Sequence, residues 1–297
     1  MGHDPAKGRA PGKRDRLLSD YIFFSMLDYR TYGSANGTPL CFLHGFMGSS
    51  DDWRPIVEDV SKRAFVVTID LPGHGQSLDR PDHLYTMEGV TQAVLDILDE
   101  IGIRRCVLIG YSMGGRAALY AARYHQSRVR GLVLESASPG LSSTDERMER
   151  RRVDARRADR IESDLGAFLE DWYRQPLFAS LAEHDLIEEM VAIRRQNDAS
   201  ELARALRGLS PAEQPPLWED LGRLEVPVLL VTGALDEKYV RITQRASERI
   251  PRAKRVVVPH AGHNVHAERP QTYSAHLTNF LFHSDPEGDE EAASDVE

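Results

Sequence analysis

The sequence predicts an α/β protein whose central sheet is mostly parallel and is covered by helices on both faces. Three observations lead to this class: short apolar runs alternate with helical stretches, a Gly-x-Ser-x-Gly turn joins a strand to a helix, and one long segment contains no strand pattern. Alternating strands and helices imply a parallel sheet that binds ligands at the carboxyl ends of its strands. The predicted strands are residues 40–43, 64–69, 106–109, 131–134, 228–231 and 255–258.

The first elements come before this alternation begins. Residues 21–30 alternate weakly and precede the turn-rich stretch 33–39, which predicts an antiparallel hairpin at a sheet edge. A later helix is predicted to end at Gly102, because its apolar residues share one face up to that point. These apolar residues are Val90, Val94, Ile97, Leu98 and Ile101.

The Gly-x-Ser-x-Gly turn lies between the strand at 106–109 and a helix at 115–124. Gly110 and Gly114 remove the Cβ atoms that would clash in a sharp reversal, so Ser112 is predicted to lie on a strained turn with its Oγ in the crevice. The first N–H groups of the following helix point toward the same place, where they stabilise developing negative charge.

The alternation stops between residues 138 and 221, where helical patterns follow one another without a strand. Ser143 and Glu146 form a capping-box pattern that opens a long arginine-rich helix. We therefore expect an α/β core at 20–140 and 220–283, with an all-helical lid at 141–219 above the site. Residues 1–19 are expected to be a disordered extension, and residues 284–297, with seven acidic side chains and no basic one, a disordered acidic tail.

Two glycine-rich turns follow the first two parallel strands. In the first, the N–H of Phe46 is predicted to form an oxyanion hole together with the N–H of Met113. A histidine at this turn, His44, is more typical of a structural hydrogen-bonding group than of a base. In the second turn, Asp70 and Ser77 are predicted to stabilise the loop by hydrogen bonds.

A carboxylate and a histidine follow the last two predicted strands. Asp236 and His263 each lie just past a strand end, so they are predicted to meet Ser112 as a catalytic triad. Glu237 is an alternative acid, and His260 and His266 are alternative bases. His263 is preferred because a glycine directly precedes it.

Composition excludes several functional classes. The net charge of −9 owes much to the acidic tail, so nothing indicates nucleic-acid binding, and no apolar run is long enough for a membrane helix. Cys41 and Cys106 each lie in an apolar run, which favours buried thiols and a reducing cytoplasm. With no metal-ligand spacing and no dinucleotide fingerprint, we expect no cofactor.

Four segments together resemble one family of the α/β-hydrolase superfamily, the 2-succinyl-6-hydroxy-2,4-cyclohexadiene-1-carboxylate (SHCHC) synthases of menaquinone biosynthesis. They are LHGFMGSSDDW at 43–53, GYSMGGR at 110–116, DWYRQPLF at 171–178 and GHNVHAERP at 262–270. The first and last occur across the superfamily, whereas the arginine after the Ser112 turn and the Trp-x-x-x-Pro-Leu-Phe segment are narrower signals. The superfamily resemblance covers nearly all of residues 21–283.

The resemblance implies a lyase on a hydrolase scaffold, which removes pyruvate from 2-succinyl-5-enolpyruvyl-6-hydroxy-3-cyclohexene-1-carboxylate. Ser112 would then serve as a base toward a C–H, and the oxyanion hole would hold the resulting dienolate. The implied partner is a small polycarboxylate, bound by a monomer or weak homo-oligomer. Carried over residue by residue, the substrate-binding residues are His44, Tyr111, Arg116, Arg150, Trp172 and Arg194, with Arg150 chosen over Arg151 and Arg152 for its four-residue offset from Asp154.

Two other functions remain open. A carboxylesterase or C–C bond hydrolase would use the same triad with Ser112 as a nucleophile, and an apolar pocket would favour it. A non-catalytic ligand receptor is also possible on this fold, although an intact set of Ser112, Asp236 and His263 argues against it. Dehalogenases and epoxide hydrolases of the fold place Asp at the turn and are therefore disfavoured.

Overall fold

The computed structural model describes residues 26–282, which form one sheet flanked by helices. Within that range the sheet has seven strands in the order β1-β3-β2-β4-β5-β6-β7, and all neighbours run parallel except β1 and β3. The predicted class is confirmed. The strands are β1 Tyr29–Tyr32, β2 Thr38–Leu43, β3 Ala64–Ile69, β4 Cys106–Tyr111, β5 Val129–Glu135, β6 Val228–Gly233 and β7 Ala253–Val258.

The edge of the sheet differs from its prediction. β1 is an antiparallel edge strand, but it pairs with β3 instead of forming a hairpin with β2. The turn between β1 and β2 packs directly against Ala64 at the start of β3, where a Cβ on Gly33 would lie 2.1 Å from the carbonyl oxygen of Ala64. β1 lies on the far side of β3 from β2, so the hairpin prediction was wrong. Its first part, residues 21–25, lies outside the described range.

Helices cover both faces of the sheet because the strands alternate their side chains. In β4, Leu108 packs with α2 and α3 on one face, whereas Ile109 packs with α1 and α11 on the other. The positive φ of Gly102 ends the turn after α2, as predicted. The core helices are α1 Arg54–Val60, α2 Met87–Glu100, α3 Met113–Tyr124, α9 Glu237–Ser247, α10 Val265–Glu268 and α11 Pro270–Phe282.

The segment between β5 and β6 contains helices and no strand in this structure. The predicted capping box is present: Glu146 N–H donates to Ser143 Oγ at 3.0 Å, and Ser143 N–H donates to Glu146 Oε2 at 3.2 Å. Its helices are α4 Thr144–Ser163, α5 Leu165–Tyr173, α6 Ala179–Glu183, α7 Ile187–Arg194 and α8 Ala199–Gly208. We call this segment the lid; its boundaries at 141 and 219 remain predictions. The lid has its own apolar cluster, which Met47 of the core joins.

Two further properties concern burial. In the described part of the chain no helix is both long and apolar enough to span a bilayer. Cys41 and Cys106 are free and buried, and burial raises the pKa of the Cys106 thiol to about 12. The predictions for residues 1–19 and 284–297 lie outside the described residues.

Candidate active site

Ser112 lies on a sharp turn between β4 and α3. Its φ of 48° and ψ of −102° are unusual for a non-glycine residue, and its N–H donates to the carbonyl oxygen of Glu135 at 2.9 Å. Both flanking glycines are required by close backbone contacts. A Cβ on Gly110 would lie 2.5 Å from Gly114 O, and a Cβ on Gly114 would lie 2.2 Å from Leu43 O. The turn therefore holds the serine in a strained but fixed position.

Ser112, His263 and Asp236 come together as a hydrogen-bonded chain. His263 Nε2 lies 3.3 Å from Ser112 Oγ, and His263 Nδ1 lies 2.7 Å from Asp236 Oδ2. The other oxygen of Asp236 accepts the N–H of Tyr239 at 3.1 Å, so this carboxylate both caps α9 and orients the imidazole. With Nδ1–H held by the carboxylate, the lone pair on Nε2 faces the hydroxyl, which is the arrangement of a general base.

The alternative acid and bases lie elsewhere. Glu237 is exposed and pairs with Arg241, and His260 is exposed. His266 is buried and bonds to the carboxylate of Glu135 at 2.8 Å. Among the hydrogen bonds of residues 26–282, only His263 reaches Ser112 Oγ.

The loop after β2 supplies the first predicted oxyanion donor. Gly45 lies against the ring of Tyr111, and a Cβ there would approach it to 2.5 Å. No acceptor in the described chain takes the N–H of Phe46. The N–H of Met113, at the first position of α3, has no acceptor within the helix, because the N–H groups of a helix's first turn have no helical carbonyl four residues before them. Both donors therefore remain available to an oxyanion, as the prediction requires.

His44 is not a substrate-binding residue in this structure. Its ring is fully buried, its Nδ1 donates to Gly45 O at 2.7 Å, and its Nε2 accepts the N–H of Leu71 at 2.9 Å. Both ring nitrogens are thus used within the protein, and burial lowers the pKa of His44. The structure corrects the role implied by the resemblance and agrees with the structural role indicated by the turn itself.

The second turn contains the predicted loop hydrogen bonds and a further histidine. Asp70 accepts the N–H groups of Ser50 at 2.7 Å and Gln76 at 2.9 Å, and Ser77 Oγ accepts the N–H of Asp28 at 2.8 Å. His74 is buried and accepts the N–H of Met47 at 3.0 Å through Nε2.

Arg116 is a buried cation whose hydrogen-bond partners are neutral. Its guanidinium donates to the carbonyl oxygen of Leu209 at 2.5 Å and to Gln214 Oε1 at 3.2 Å, both in the lid, and it forms no ion pair in the described chain. Burial, reinforced by the nearby charge of Arg150, lowers the pKa of Arg116 to about 10. A buried guanidinium without a carboxylate is costly, so an anionic ligand is expected to compensate it.

Arg150 differs from its two neighbours on α4. Its Nε donates to Asp154 Oδ2 at 2.7 Å, the predicted four-residue pair, and it borders a cavity of about 350 Å³ together with Arg116. Arg151 pairs with Glu213 at 2.6 Å on the surface, and Arg152 is exposed. Of these three arginines only Arg150 borders this cavity, and substrate binding by Arg150 remains a prediction.

Arg194 has an internal partner that the sequence analysis did not identify. Both of its Nη atoms donate to the carboxylate of Asp52, each at 2.7 Å. Burial alone would raise the pKa of Asp52, but the Arg194 guanidinium outweighs burial and lowers it. The Nε of Arg194 is buried and has no hydrogen-bond partner among the described residues, so substrate binding by Arg194 stays a prediction beside its pairing with Asp52.

Aromatic side chains surround the triad on the lid side. The Trp172 ring lies 6.0 Å from that of Phe46, and the Tyr111 ring lies 5.5 Å from that of His263. Sequence reasoning missed Tyr239, whose ring lies 4.7 Å from His263, and Gln214, which holds Arg116. The three-residue spacing between Asp236 and Tyr239 at a helix start could have identified the first, but no local signal pointed to the second.

Within residues 26–282, no three side chains of the types His, Cys, Asp or Glu are placed to hold a metal ion. The absence of a cofactor stays a prediction.

Comparison with known proteins identifies similar chains. The family model for the alpha/beta hydrolase fold matches residues 38–270. The 2-succinyl-6-hydroxy-2,4-cyclohexadiene-1-carboxylate synthase of Serratia proteamaculans is 35% identical over 84% of this chain and 95% of its own length. The synthase of Klebsiella pneumoniae (strain 342) is 37% identical over 82% of this chain and 93% of its own. Among solved structures, MenH from S. aureus superposes with a TM-score of 0.81 at 33% identity, covering 85% of this chain and 97% of that one.

Proposed function

Because the chain belongs to the family of SHCHC synthases within the α/β-hydrolase fold, we propose that it removes pyruvate from 2-succinyl-5-enolpyruvyl-6-hydroxy-3-cyclohexene-1-carboxylate to form SHCHC, a step of menaquinone biosynthesis. The observation that carries this proposal is the buried Arg116, one helical turn after Ser112 and without a carboxylate partner. A substrate with three carboxylates supplies the missing anion, whereas a neutral ester does not.

The reaction uses the hydrogen-bonded chain as a proton relay. Ser112 Oγ takes the proton from the ring carbon beside the succinyl carbonyl, while His263 Nε2 takes the hydroxyl proton of the serine. Negative charge moves onto the carbonyl oxygen, where the N–H groups of Phe46 and Met113 stabilise it. The dienolate then collapses, the C–O bond to the enolpyruvyl group breaks, and the departing enolate takes the proton back from His263 to become pyruvate, which restores the neutral base. The ring keeps the new double bonds of SHCHC.

Asp236 acts through His263 and does not meet the substrate. Its 2.7 Å hydrogen bond keeps the proton on Nδ1 and stabilises the imidazolium that forms during the reaction. Arg116 and Arg150 bind carboxylates of the substrate, and a charge-assisted hydrogen bond of this kind contributes roughly 1.5–3 kcal/mol. Trp172 and Tyr111 provide apolar walls near the reacting carbon.

A serine ester hydrolase is the second candidate. The observation that favours it is the triad itself, since a serine 3.3 Å from its base beside two free N–H donors is equally suited to acyl transfer. Phe178 and Trp172, whose rings lie 5.8 Å apart, would pack against the apolar part of an ester.

The decisive experiment measures pyruvate release from substrate generated enzymatically, alongside hydrolysis of p-nitrophenyl acetate by the same preparation. We expect rapid pyruvate release that is lost in Ser112→Ala. Esterase activity in a preparation that releases no pyruvate would overturn the lyase proposal in favour of the second candidate.

The place of action is also part of the proposal. We propose that the protein works in the cytoplasm as a monomer or weak homo-oligomer, and the free, buried state of Cys41 and Cys106 supports a reducing compartment.

A further inference from the structure

A cavity of about 350 Å³ near the triad has several basic side chains among its walls. We call it the basic pocket. Five basic side chains and one acidic side chain border it; they are Arg116, Arg150, Lys238, Arg241, Arg245 and Glu146. The carboxylate of Glu146 already accepts the N–H of Ser143 in the capping box at the start of α4. Of the five cations, Arg150 and Arg241 pair with carboxylates that do not border the pocket. Within the described residues Arg116, Lys238 and Arg245 form no ion pair, and the last two are exposed to solvent.

The basic pocket adjoins the triad without including it. Arg116 lies one helical turn after Ser112 on α3, and Tyr239, another wall residue, packs its ring 4.7 Å from His263. A ligand whose reacting carbon is at Ser112 would thus extend past Tyr239 into this cavity. The pocket is placed to receive a part of the ligand that does not react.

One face of α9 supplies most of the basic residues. Lys238, Arg241 and Arg245 are three and four residues apart, so they form one row along the helix that spans about 10 Å. Arg241 is paired with Glu237 at 3.3 Å. Arg245 lies 4.1 Å above the ring of Trp218, which fixes its guanidinium without neutralising it. Lys238 forms no ion pair within the described residues.

The charges of the pocket repel one another. Burial lowers the pKa of Lys238, and the neighbouring Arg150 lowers it further. Because Lys238 is still exposed to solvent, an anion between these groups would act mainly by relieving the repulsion. Apolar groups also border the pocket, among them Leu141, Trp218 and Ile242. This combination fits a short methylene chain that ends in a carboxylate.

We propose that the basic pocket binds a carboxylate-terminated arm of the ligand, and that Lys238 and Arg245 determine specificity for it. Its chemical class, a small polycarboxylate, follows from the walls of the pocket. That the arm is the succinyl group rests on the proposed function. The two residues act on binding and leave the proton relay of Ser112 unchanged.

The test uses tricarballylate, an unreactive tricarboxylate, as the probe in calorimetric titrations. Replacing both residues (Lys238→Gln with Arg245→Gln) should weaken its binding at least about tenfold, since two charged contacts are lost. Lys238→Arg, which keeps the charge, should bind nearly as the wild type does. Arg249→Gln is the matched control, because Arg249 also lies over Trp218, at 5.9 Å, but does not border the pocket. Its affinity should change less than about twofold.

Kinetics separate this inference from the proposed function. With the pathway substrate, the double variant should raise KM about tenfold with little change in kcat, and its p-nitrophenyl acetate hydrolysis should equal that of the wild type. If the wild type releases no pyruvate, the proposed function fails, whereas tricarballylate binding still tests the pocket. Unchanged binding by the double variant, or an equal loss in Arg249→Gln, would overturn the assignment.

Discussion

Two carboxylate–histidine pairs lie close together in this molecule, and only one of them faces Ser112. In the first, His263 bonds to Asp236 at 2.7 Å; in the second, His266 bonds to Glu135 at 2.8 Å. All four side chains are almost completely buried. The two histidines are three residues apart, on either side of the start of α10. The chemistry of such a pair therefore depends on what surrounds the rest of the ring.

The surroundings of the second pair are those of a structural element. The His266 ring stacks on Trp53 with 4.2 Å between centroids. The carboxylate of Glu135 accepts hydrogen bonds from the ring Nδ1–H and the backbone N–H of His266. The backbone carbonyl oxygen of Glu135 accepts the N–H of Ser112. This pair thus connects the loop after β7 to the end of β5 and to the serine turn. We expect this pair to position the site, whereas the first pair moves a proton in the proposed mechanism.

The largest expected effect separates the two histidines by activity. Ser112→Ala and His263→Ala should each lower kcat on the order of 10³-fold or more, and the double variant should lose little beyond that, because members of one unit are non-additive. His266→Ala should lower kcat less than about tenfold per folded molecule, because it does not contact the reacting atoms. Steady-state pyruvate release, corrected for folded protein, measures this. Multiplicative losses in the double variant would contradict a triad acting as one unit.

The next effect concerns the charge beside the first pair. Arg116→Ala should lower kcat/KM for the tricarboxylate by an amount equivalent to roughly 2–4 kcal/mol of activation free energy, since a buried charged hydrogen bond to the substrate is lost. Hydrolysis of p-nitrophenyl acetate should change only slightly. The measurement is kcat/KM on both substrates. Equal losses on the two would mean that Arg116 acts through its bonds to Leu209 and Gln214, as a structural link to the lid.

Stability should respond most at the second pair. Glu135→Gln keeps the size of the side chain but removes a charged acceptor from His266, so the free energy of unfolding should fall by about 2 kcal/mol. Urea denaturation measures this change, and kcat per folded molecule should stay close to that of the wild type. The surface variant Glu213→Gln, which loses an exposed pair with Arg151, is the control and should change stability by less than about 1 kcal/mol. A large loss of kcat with unchanged stability would reverse the roles assigned to the two pairs.

The smallest effect, about 1.4 kcal/mol between pH 7 and 5.5, comes from a buried histidine that bonds to backbone groups and, among the described residues, to no carboxylate. Burial, reinforced by the neighbouring His44, lowers the pKa of His74 to about 3. The ring therefore stays neutral in the folded protein, whereas in the unfolded chain it takes up a proton once the pH falls below about 6.5. The contribution of the neutral His74 ring to the free energy of unfolding is fully present above about pH 6.5. It is lost as the pH falls toward 3, by about 1.4 kcal/mol per pH unit in that window. Urea unfolding at pH 7 and 5.5 should show this slope, and His74→Asn should show a shallower one. Identical slopes would contradict the neutral buried ring.

Local patterns predicted the elements that depend on neighbouring residues in the chain. The strand–turn–helix around Ser112 and the capping box at Ser143 were both readable, because spacing and residue type determine them. Contacts between distant segments could not be predicted from such local patterns. Arg194 and Asp52 are 142 residues apart, and Arg116 and Gln214 are 98 apart. The pairing of β1 with β3 depends similarly on the close packing of Gly33 against Ala64.

The same limit applies to the choice between the two histidines. His263 and His266 both follow a strand end and both find a carboxylate, and only the three-dimensional position of Ser112 distinguishes them. The glycine before His263 favoured the histidine that the structure places beside Ser112. No pattern in the sequence indicated that Glu135 would be the partner of His266.

The contact between Arg194 and Asp52 joins the lid to the loop that carries the oxyanion donor. In the same region, Asn197 of the lid donates to the carbonyl oxygen of Met47 at 3.0 Å. Met47 is the residue that follows Phe46 in the chain. We therefore expect the conformation of this loop to be coupled to the position of the lid. By thermodynamic reciprocity, an anion that orders the loop favours the closed lid by the same factor with which lid closure tightens the binding of that anion.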